Sequence, residues 1–212
     1  MPEAKSPERK GLVLVVCAPS GTGKSTLTAR LREEFPDIGF SVSYTTRPPR
    51  EGERDGEHYH FVSRERFIAM RSRGEFCEWA EVHDNFYGTA TQPVRDMLEA
   101  GSDVLFDIDV QGAMQLRRTF PEGVYAFLLP PSREELLRRL RGRGTDTVEA
   151  VERRMENARG ELERAGSFDF WVVNDELERA YQEFRSVYLA GKARPMQYQG
   201  MLDELLEEWI DG

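Results

Sequence analysis

The run Gly11-Leu-Val-Leu-Val-Val-Cys17 ends directly on Ala18-Pro-Ser-Gly-Thr-Gly-Lys-Ser25, and no other stretch restricts the fold of this chain so tightly. Continuous β-branched apolar residues suit a strand buried on both faces of a parallel sheet. Gly21 and Gly23 let backbone N–H groups turn inward around phosphate oxygens. The segment Ser25 to Phe35, with Leu27, Leu31 and Phe35 four apart, then reads as a helix whose positive end faces the same place, closed by Pro36-Asp37. The spacing is that of a phosphate loop, G-x-x-x-x-G-K-[ST], with Ala18 in the first glycine position. A buried strand before the loop and an amphipathic helix after it are the context the motif requires.

Further buried strands are predicted at Val104 to Asp109, Val124 to Leu129 and Phe170 to Val173, with helical segments between them. Such alternation makes an α/β chain with a parallel sheet in three layers. The stretch 44–92 has another texture. Turn signals at Pro48-Pro49, Glu51-Gly52 and Asp55-Gly56, the alternating patch His58 to Val62 and the run Glu75 to Val82 predict a few antiparallel strands around a short helix. Ser132 to Gly144 and Thr147 to Ala165 predict a helical hairpin with eight Arg against six Asp or Glu between Ser132 and Arg159. Its second helix has almost no apolar face, so the hairpin is expected to pack poorly and move. At the end, Leu202, Leu205, Leu206, Trp209 and Ile210 form one helical stripe, expected to pack on the core and, failing that, to serve as a partner surface. The expected layout is a flexible tail over 1–10, a domain over 11–195 and a terminal helix over 196–212. Within the domain, 11–43, 93–131 and 160–195 form the core, 44–92 a small mixed α/β insertion and 132–159 a helical lid.

Composition limits what the sites can do. The longest apolar run, Leu12 to Ala18, is far below the ~20 residues of a membrane span, and the charged first ten residues do not read as a secretory signal. Cys17 and Cys77 stand sixty apart without C-x-x-C spacing, which fits a reducing, cytoplasmic setting. A net charge of −9 is the wrong sign for binding nucleic acid by bulk electrostatics, so any anion must meet a local cluster of cations. His58, His60 and His83 lack metal-ligand spacing, no G-x-S-x-G elbow occurs, and Gly21-Thr-Gly23 lacks the third glycine of a dinucleotide fingerprint. What remains is nucleoside triphosphate chemistry with magnesium. Lys24 can reach the β and γ oxygens, the Ser25 hydroxyl is a natural Mg²⁺ ligand, and Asp107 at a strand end supplies the second, through a water.

The insertion offers an acceptor site. Arg47 and Arg50 lie three apart on a proline-stiffened loop, and with Tyr59 and Tyr87 they could clamp a second phosphate through charge-assisted and O–H donors. Seen alone, the same arginines suit a solvated Arg-Pro turn over core tyrosines, and that alternative stays open on spacing.

At this point the chain resembles the guanylate kinase family, whose members phosphorylate GMP. The matching stretches are Ala18 to Thr26, Ser41 to Arg50 with Gly52-Glu53, Gly56 to Val62, Glu75 to Ala80, Tyr87-Gly-Thr89, Asp107 to Gly112, Arg141 to Asp146 and Arg153-Arg-Met155. The resemblance implies a P-loop NTPase fold and an ATP:GMP phosphotransferase that maintains guanine nucleotide supply and recycles GMP. It implies Ala18, Pro19, Ser20, Gly21, Thr22, Gly23, Lys24, Ser25, Thr26, Arg143 and Asn174 on ATP. Arg47, Arg50, Tyr59 and Tyr87 fall on the GMP phosphate, and Glu78, Ser43 and Thr89 on the base with Asp109 close by. Lys24, Arg47, Arg143 and Arg154 are the implied catalytic set, the last two on the lid; Arg138 and Arg139 read instead as a solvated helix face. Guanine offers N1–H and an amino group as adjacent donors, which a carboxylate matches, whereas adenine presents a bare acceptor to it. The implied partners are ATP, GMP and dGMP, with a monomer or small homo-oligomer and no nucleic acid or membrane. Guanylate-kinase-like scaffold modules share the fold but carry degraded phosphate loops, whereas Gly23, Lys24 and Ser25 are intact here. A kinase for a sugar phosphate is disfavoured by Glu78 and Ser43.

Overall fold

Strand β1 (Val13–Cys17) is buried at all five positions in the computed structural model, which describes residues 9–39, 41–82, 84–142, 147–198 and 200–210. Its side chains alternate between two cores, as the pleat demands. Leu12, Leu14 and Val16 pack with Leu27 and Leu31 of α1 (Lys24–Glu34) and with Tyr181, Phe184 and Tyr188 of α7 (Leu177–Lys192). On the other face, Val13, Val15 and Cys17 meet Val94 of α3 (Thr91–Glu99) and Ala113 and Leu116 of α4 (Val110–Thr119). The three layers expected from the sequence are therefore present, and burial of both faces explains why β1 carries no polar residue.

Four parallel strands run in the order β6 (Val104–Asp107), β1, β7 (Val124–Leu129), β8 (Phe170–Val173). Val16 is in register with Asp107, which brings that carboxylate to the strand edge from which the phosphate loop springs. At the opposite edge, buried Asp103 accepts from Arg9 at 2.7 and 2.8 Å, from the Leu12 N–H at 2.8 Å and from the Tyr188 hydroxyl at 2.6 Å. Lys10 N–H donates to the Gln197 carbonyl at 2.9 Å, so Arg9 and Lys10, at the end of the tail expected over 1–10, are tied to the domain by hydrogen bonds.

The insertion folds into a second sheet, β3 (His60–Phe61), β2 (Tyr44–Thr45), β5 (Asn85–Ala90), β4 (Phe76–Val82). The few antiparallel strands expected are present in β2–β5 and β5–β4, and β3 adds to them in parallel with β2, so the sheet is mixed. The expected strand His58 to Val62 shrinks to two residues because a turn intervenes: Gly56 N–H donates to the Tyr59 carbonyl, and the Asp55 carboxylate takes the Phe61 N–H at 2.8 Å. Helix α2 (Arg64–Ser72), capped by the Ser63 hydroxyl, inserts Phe67 between Phe76 and Phe86 with ring centroids at 4.5 and 5.2 Å. Each such pair adds ~0.5–1.5 kcal/mol beyond burial. Gln115 of α4 clips the lobe to the core through both backbone groups of Trp79, at 3.1 and 2.8 Å.

Helices α5 (Arg133–Arg141) and α6 (Val148–Leu162) form the hairpin, capped by Ser132 and Thr147. It packs better than its polarity suggested. Leu136, Leu140, Val151 and Ala158 bury together, with Leu137 and Met155 against them. Positions 151, 155, 158 and 162 make a narrow but regular stripe, enough for a small core of its own. Helix α5 ends at Arg141, with Gly142 as its C-cap, and α6 stops at Leu162, short of the expected Ala165, where a 3₁₀ turn (Ala165–Ser167) follows. The expected packing of the last helix on the core is not observed, because α8 (Met201–Ile210) buries none of its residues.

Candidate active site

The phosphate loop is shaped by backbone. Gly21 and Gly23 adopt φ of 91° and 98°, a left-handed region that favours glycine. A Cβ on Gly23 would also lie 2.4 Å from the Asn174 amide nitrogen. Thr22 between them is wholly buried, and its carbonyl accepts from Asn174 Nδ2 at 2.6 Å and Arg139 Nη1 at 3.3 Å. Arg139 also donates to the Asn174 carbonyl at 2.9 Å. Ala18, Pro19 and Ser20 lead into this turn, while Lys24, Ser25 and Thr26 form the first turn of α1, with Thr26 N–H donating to Gly23 at 3.2 Å. The reading of Arg139 as a solvated residue is thus corrected: at 22% exposure it joins α5 to the loop, while Arg138 at 73% stays on the surface with Glu135.

Lys24 Nζ lies 2.6 Å from Asp107 Oδ1 and donates to the Ile108 carbonyl at 2.9 Å. Thr28 donates to the other Asp107 oxygen at 3.4 Å. Ser25 is exposed beside this cluster. Mg²⁺ holds few protein ligands and takes phosphate oxygens and water for the rest. One hydroxyl and one strand-end carboxylate next to a phosphate loop fit that demand, and among the described residues no group of three His, Cys, Asp or Glu forms a fuller cage. From the lid, Arg154 Nη2 reaches Ser20 Oγ at 2.5 Å, so this arginine already touches the loop. Arg143 lies outside the described residues.

In the lobe, β4 and β5 place Glu78 beside Thr89. Thr89 Oγ1 donates to Glu78 Oε1 at 2.6 Å and lies 3.2 Å from Ser43 Oγ, so the three form one chain. Glu78 is only 8% exposed, and burial pushes its carboxyl above the usual carboxylate range, with a further push from Asp109. Asp109 caps α4 by accepting the Gly112 N–H at 2.7 Å. A Cβ on Gly112 would sit 3.4 Å from Glu78 Oε2, so the carboxylate stands against the positive end of α4, which favours its charge. Around the loop 47–53, Arg47 is held by both oxygens of Glu53 at 2.9 and 2.8 Å, and Glu53 also accepts the Arg50 N–H at 2.6 Å. Arg47 and then Arg50 hold the Glu53 carboxyl down at about 2. The Arg47 guanidinium stands 5.6 Å from the Tyr59 ring, and the Tyr59 and Tyr87 rings are 6.0 Å apart. Arg47, Tyr59 and Tyr87 thus converge, and Arg50 joins them through Glu53. His58 accepts the Arg54 N–H and His60 stacks on Tyr44, in keeping with structural roles; His83 lies outside the described residues.

The sequence profile of the guanylate kinase family matches residues 10–190. The chain belongs to that family. It is 58% identical over 201 residues to a guanylate kinase of Oleidesulfovibrio alaskensis, covering 95% of this chain and 98% of that one. It is also 58% identical over 204 residues to one of Nitratidesulfovibrio vulgaris, with 96% and 99% covered. A crystal structure of guanylate kinase from Anaplasma phagocytophilum superposes with a TM-score of 0.71 at 33% identity, covering 95% and 96% of the two chains.

Three residues of this chain come to light only once it is folded. Glu53 stood in the motif stretch without a role and proves to be the partner of Arg47. Arg139 had no signal, because one arginine among eight in a polar hairpin cannot be singled out by spacing. Glu161, near the end of α6, has a buried Oε2 without a hydrogen-bond partner, and burial raises its carboxyl while Lys24 opposes the shift. Both free cysteines are buried, and burial pushes the Cys77 thiol up to about 12, which leaves neither suited to nucleophilic work.

Proposed function

We propose that the chain transfers the γ-phosphate of ATP to GMP, giving ADP and GDP, by direct in-line displacement with Mg²⁺ held by Ser25 and, through water, by Asp107. The observation that carries this reading is the buried carboxylate of Glu78, linked to Thr89 and Ser43 in a lobe whose Arg47, Tyr59 and Tyr87 already converge. A carboxylate there pairs with guanine N1–H and the amino group, and the Ser43 hydroxyl can serve O6. Adenine would leave a buried acceptor facing another acceptor.

Each half of the site then has its task. Backbone N–H groups of residues 20–26 bind the donor phosphates, and Lys24 leaves Asp107 for the β and γ oxygens. Asn174 and Arg139 hold the Thr22 carbonyl and so fix the loop. Arg47, Arg50, Tyr59 and Tyr87 hold the acceptor phosphate, while Arg154 and Arg143 bring positive charge from the lid to the transferring group. When bound, the metal neutralises charge on the donor oxygens. The attacking phosphate oxygen is already ionised, so no general base is needed and catalysis is positioning plus charge stabilisation. The reading extends to dGMP as a second acceptor and to a cytoplasmic setting; among the described residues no helix is long and apolar enough to cross a membrane.

Turnover with ATP and Mg²⁺ across GMP, dGMP, AMP, UMP and CMP tests the proposal. GDP and dGDP are the expected products, with AMP and the pyrimidines far slower. Absence of GDP, or equal rates for AMP and GMP, would overturn it.

A further inference from the structure

The Glu78 carboxylate is aimed by an irregularity in its own strand. Phe76 is in register with Ala90 and Glu78 with Thr89, two residues of β4 against one of β5, so Cys77 is the extra residue of a β-bulge. Strict alternation would put Phe76 and Glu78 on one face of the sheet, with Cys77 and Trp79 on the other. The contacts follow a different pattern. Phe76 stacks on Phe67 of α2 at 4.5 Å, and the Arg71 guanidinium of the same helix lies 4.7 Å from the Trp79 ring. Cys77 is buried with Ala113 and Leu116 of α4, and a Cβ on Gly112 of that helix would sit 3.4 Å from Glu78 Oε2. The bulge therefore turns Glu78 from the α2 face to the α4 face, where Thr89 donates to it.

Such a turn has to be held, because a slip of one residue along β5 would send each side chain back to the opposite face. Strand β4 is the last of its sheet, so backbone groups directed away from β5 have no strand to pair with. Gln115 of α4 takes that place. Its Oε1 accepts the Trp79 N–H at 3.1 Å and its Nε2 donates to the Trp79 carbonyl at 2.8 Å, as the peptide group of a neighbouring strand would. A side-chain amide suits the position because it both accepts and donates. On the inner side, Cys77 Sγ donates to the Thr89 carbonyl at 3.2 Å. The bulge is thus fastened on β5 through Cys77 and on α4 through Trp79. Helix α4 is capped by Asp109, two residues past the Asp107 that pairs with Lys24, so the same contact sets Glu78 relative to the donor half.

We propose that Gln115 is a positioning residue for guanine recognition: by taking both backbone groups of Trp79 it locks the bulge and keeps Glu78 turned toward α4 and the acceptor base. The proposal rests on Glu78 as the group that reads guanine. The Gln115 amide is engaged on Trp79, so its effect on the base passes through Glu78. Arg47 and Arg50 follow β2, which β5 separates from β4, so the hold on the acceptor phosphate should survive loss of the contact.

Steady-state kinetics of the full chain with Gln115→Met tests this, since methionine keeps the length and helix propensity of the side chain but neither hydrogen bond. Loss of two neutral hydrogen bonds should lower kcat/KM for GMP by about tenfold. The value for AMP should change little, so discrimination shrinks while the KM for ATP stays level. In a Glu78→Gln background the same substitution should cost much less, because the group it aims is already altered; losses that simply multiply would overturn the proposal. Gln115→Glu keeps the acceptor for the Trp79 N–H and loses the donor. It should reduce discrimination in the same direction by less, and it carries the test if Gln115→Met fails to fold. A Gln115→Met protein that melts lower yet discriminates GMP from AMP as wild type does would overturn the proposal and leave the contact a purely structural one. If Glu78→Gln itself left discrimination unchanged, the reading of the base site would fall; with Glu78→Gln effective and Gln115→Met silent, only the role of Gln115 would.

Discussion

The donor and acceptor halves of the site each hold a cation against a carboxylate, but they recruit the carboxylate from different distances. Lys24 is paired with Asp107, on a strand eighty-three residues later that reaches it through the register of the parallel sheet. Arg47 is paired with Glu53, six residues on in the same loop. The donor half therefore depends on the whole core being assembled, whereas the acceptor clamp organises itself locally on a proline-stiffened turn. The donor half is also built from backbone, with Gly21 and Gly23 in left-handed geometry, and the acceptor half from side chains.

The sharpest way to break the comparison is Lys24→Ala. It removes the charge aimed at the transferring group while leaving the lobe intact, so kcat should fall by about 10²–10³-fold or more with GMP binding retained. A coupled turnover assay beside calorimetric GMP binding reads both quantities. Near-normal turnover would remove Lys24 from the chemistry.

Glu78→Gln comes next. A hydrogen bond to a charged group is worth ~1.5–3 kcal/mol, so GMP should weaken by about 10–100-fold and discrimination against AMP should shrink, with the KM for ATP unchanged. The same change removes a buried charge, so thermal melting of the free protein at neutral pH should rise. Loss of both affinity and stability would point to a structural part for Glu78 instead of a recognition role.

These contrasts also mark how far the sequence could be read. The core strands were legible because β1, β7 and β8 are short apolar runs with sharp ends, and Val124–Leu129 and Phe170–Val173 match the expected bounds. The phosphate loop was legible because phosphate-binding backbone forces glycine at fixed spacing. Arg47 and Arg50 suggested a phosphate clamp by charge and spacing but left a solvated turn open, and Glu78, Ser43 and Thr89 had no such constraint, their suggested roles coming from resemblance. The hairpin was misjudged because its apolar stripe is one residue per turn, and α8 because its amphipathic pattern looks the same whether the face it meets belongs to its own core or lies elsewhere. Arg139 and Asn174 meet at Thr22 from two distant elements, a contact that no local pattern encodes.

Arg139 sharpens the donor half without touching its chemistry. Arg139→Gln leaves the Thr22 carbonyl with Asn174 alone, and loss of about 1–1.5 kcal/mol of loop support should raise the KM for ATP by about 5–10-fold. The KM for GMP should stay level and kcat should fall less than for Lys24→Ala. Arg139→Lys keeps one donor and should recover part of the loss. A rise in both KM values together with a fall in stability would instead indicate general damage to α5.

The smallest expected effect separates the two carboxylates of the lobe by pH. Arg47 holds Glu53 at about 2, so the contribution of that pair is complete above the ordinary carboxyl value near 4.5 and is lost only as the pH falls through about 2. Glu78 moves the other way. Burial raises its carboxyl, so in the free protein its proton is taken up above 4.5 on acidification, which relieves the cost of the buried charge and adds stability. GMP needs the ionised form, so its affinity should begin to fall in that same window while the phosphate clamp is intact. The acceptor phosphate itself titrates near pH ~6, and the ratio of KM for GMP between wild type and Glu78→Gln cancels that common step. The ratio should move toward unity as the pH drops from neutral toward the ordinary carboxyl value near 4.5, because protonated Glu78 and Gln then present similar groups to guanine. A ratio that stays flat across this range would mean that the Glu78 charge does not contact the base.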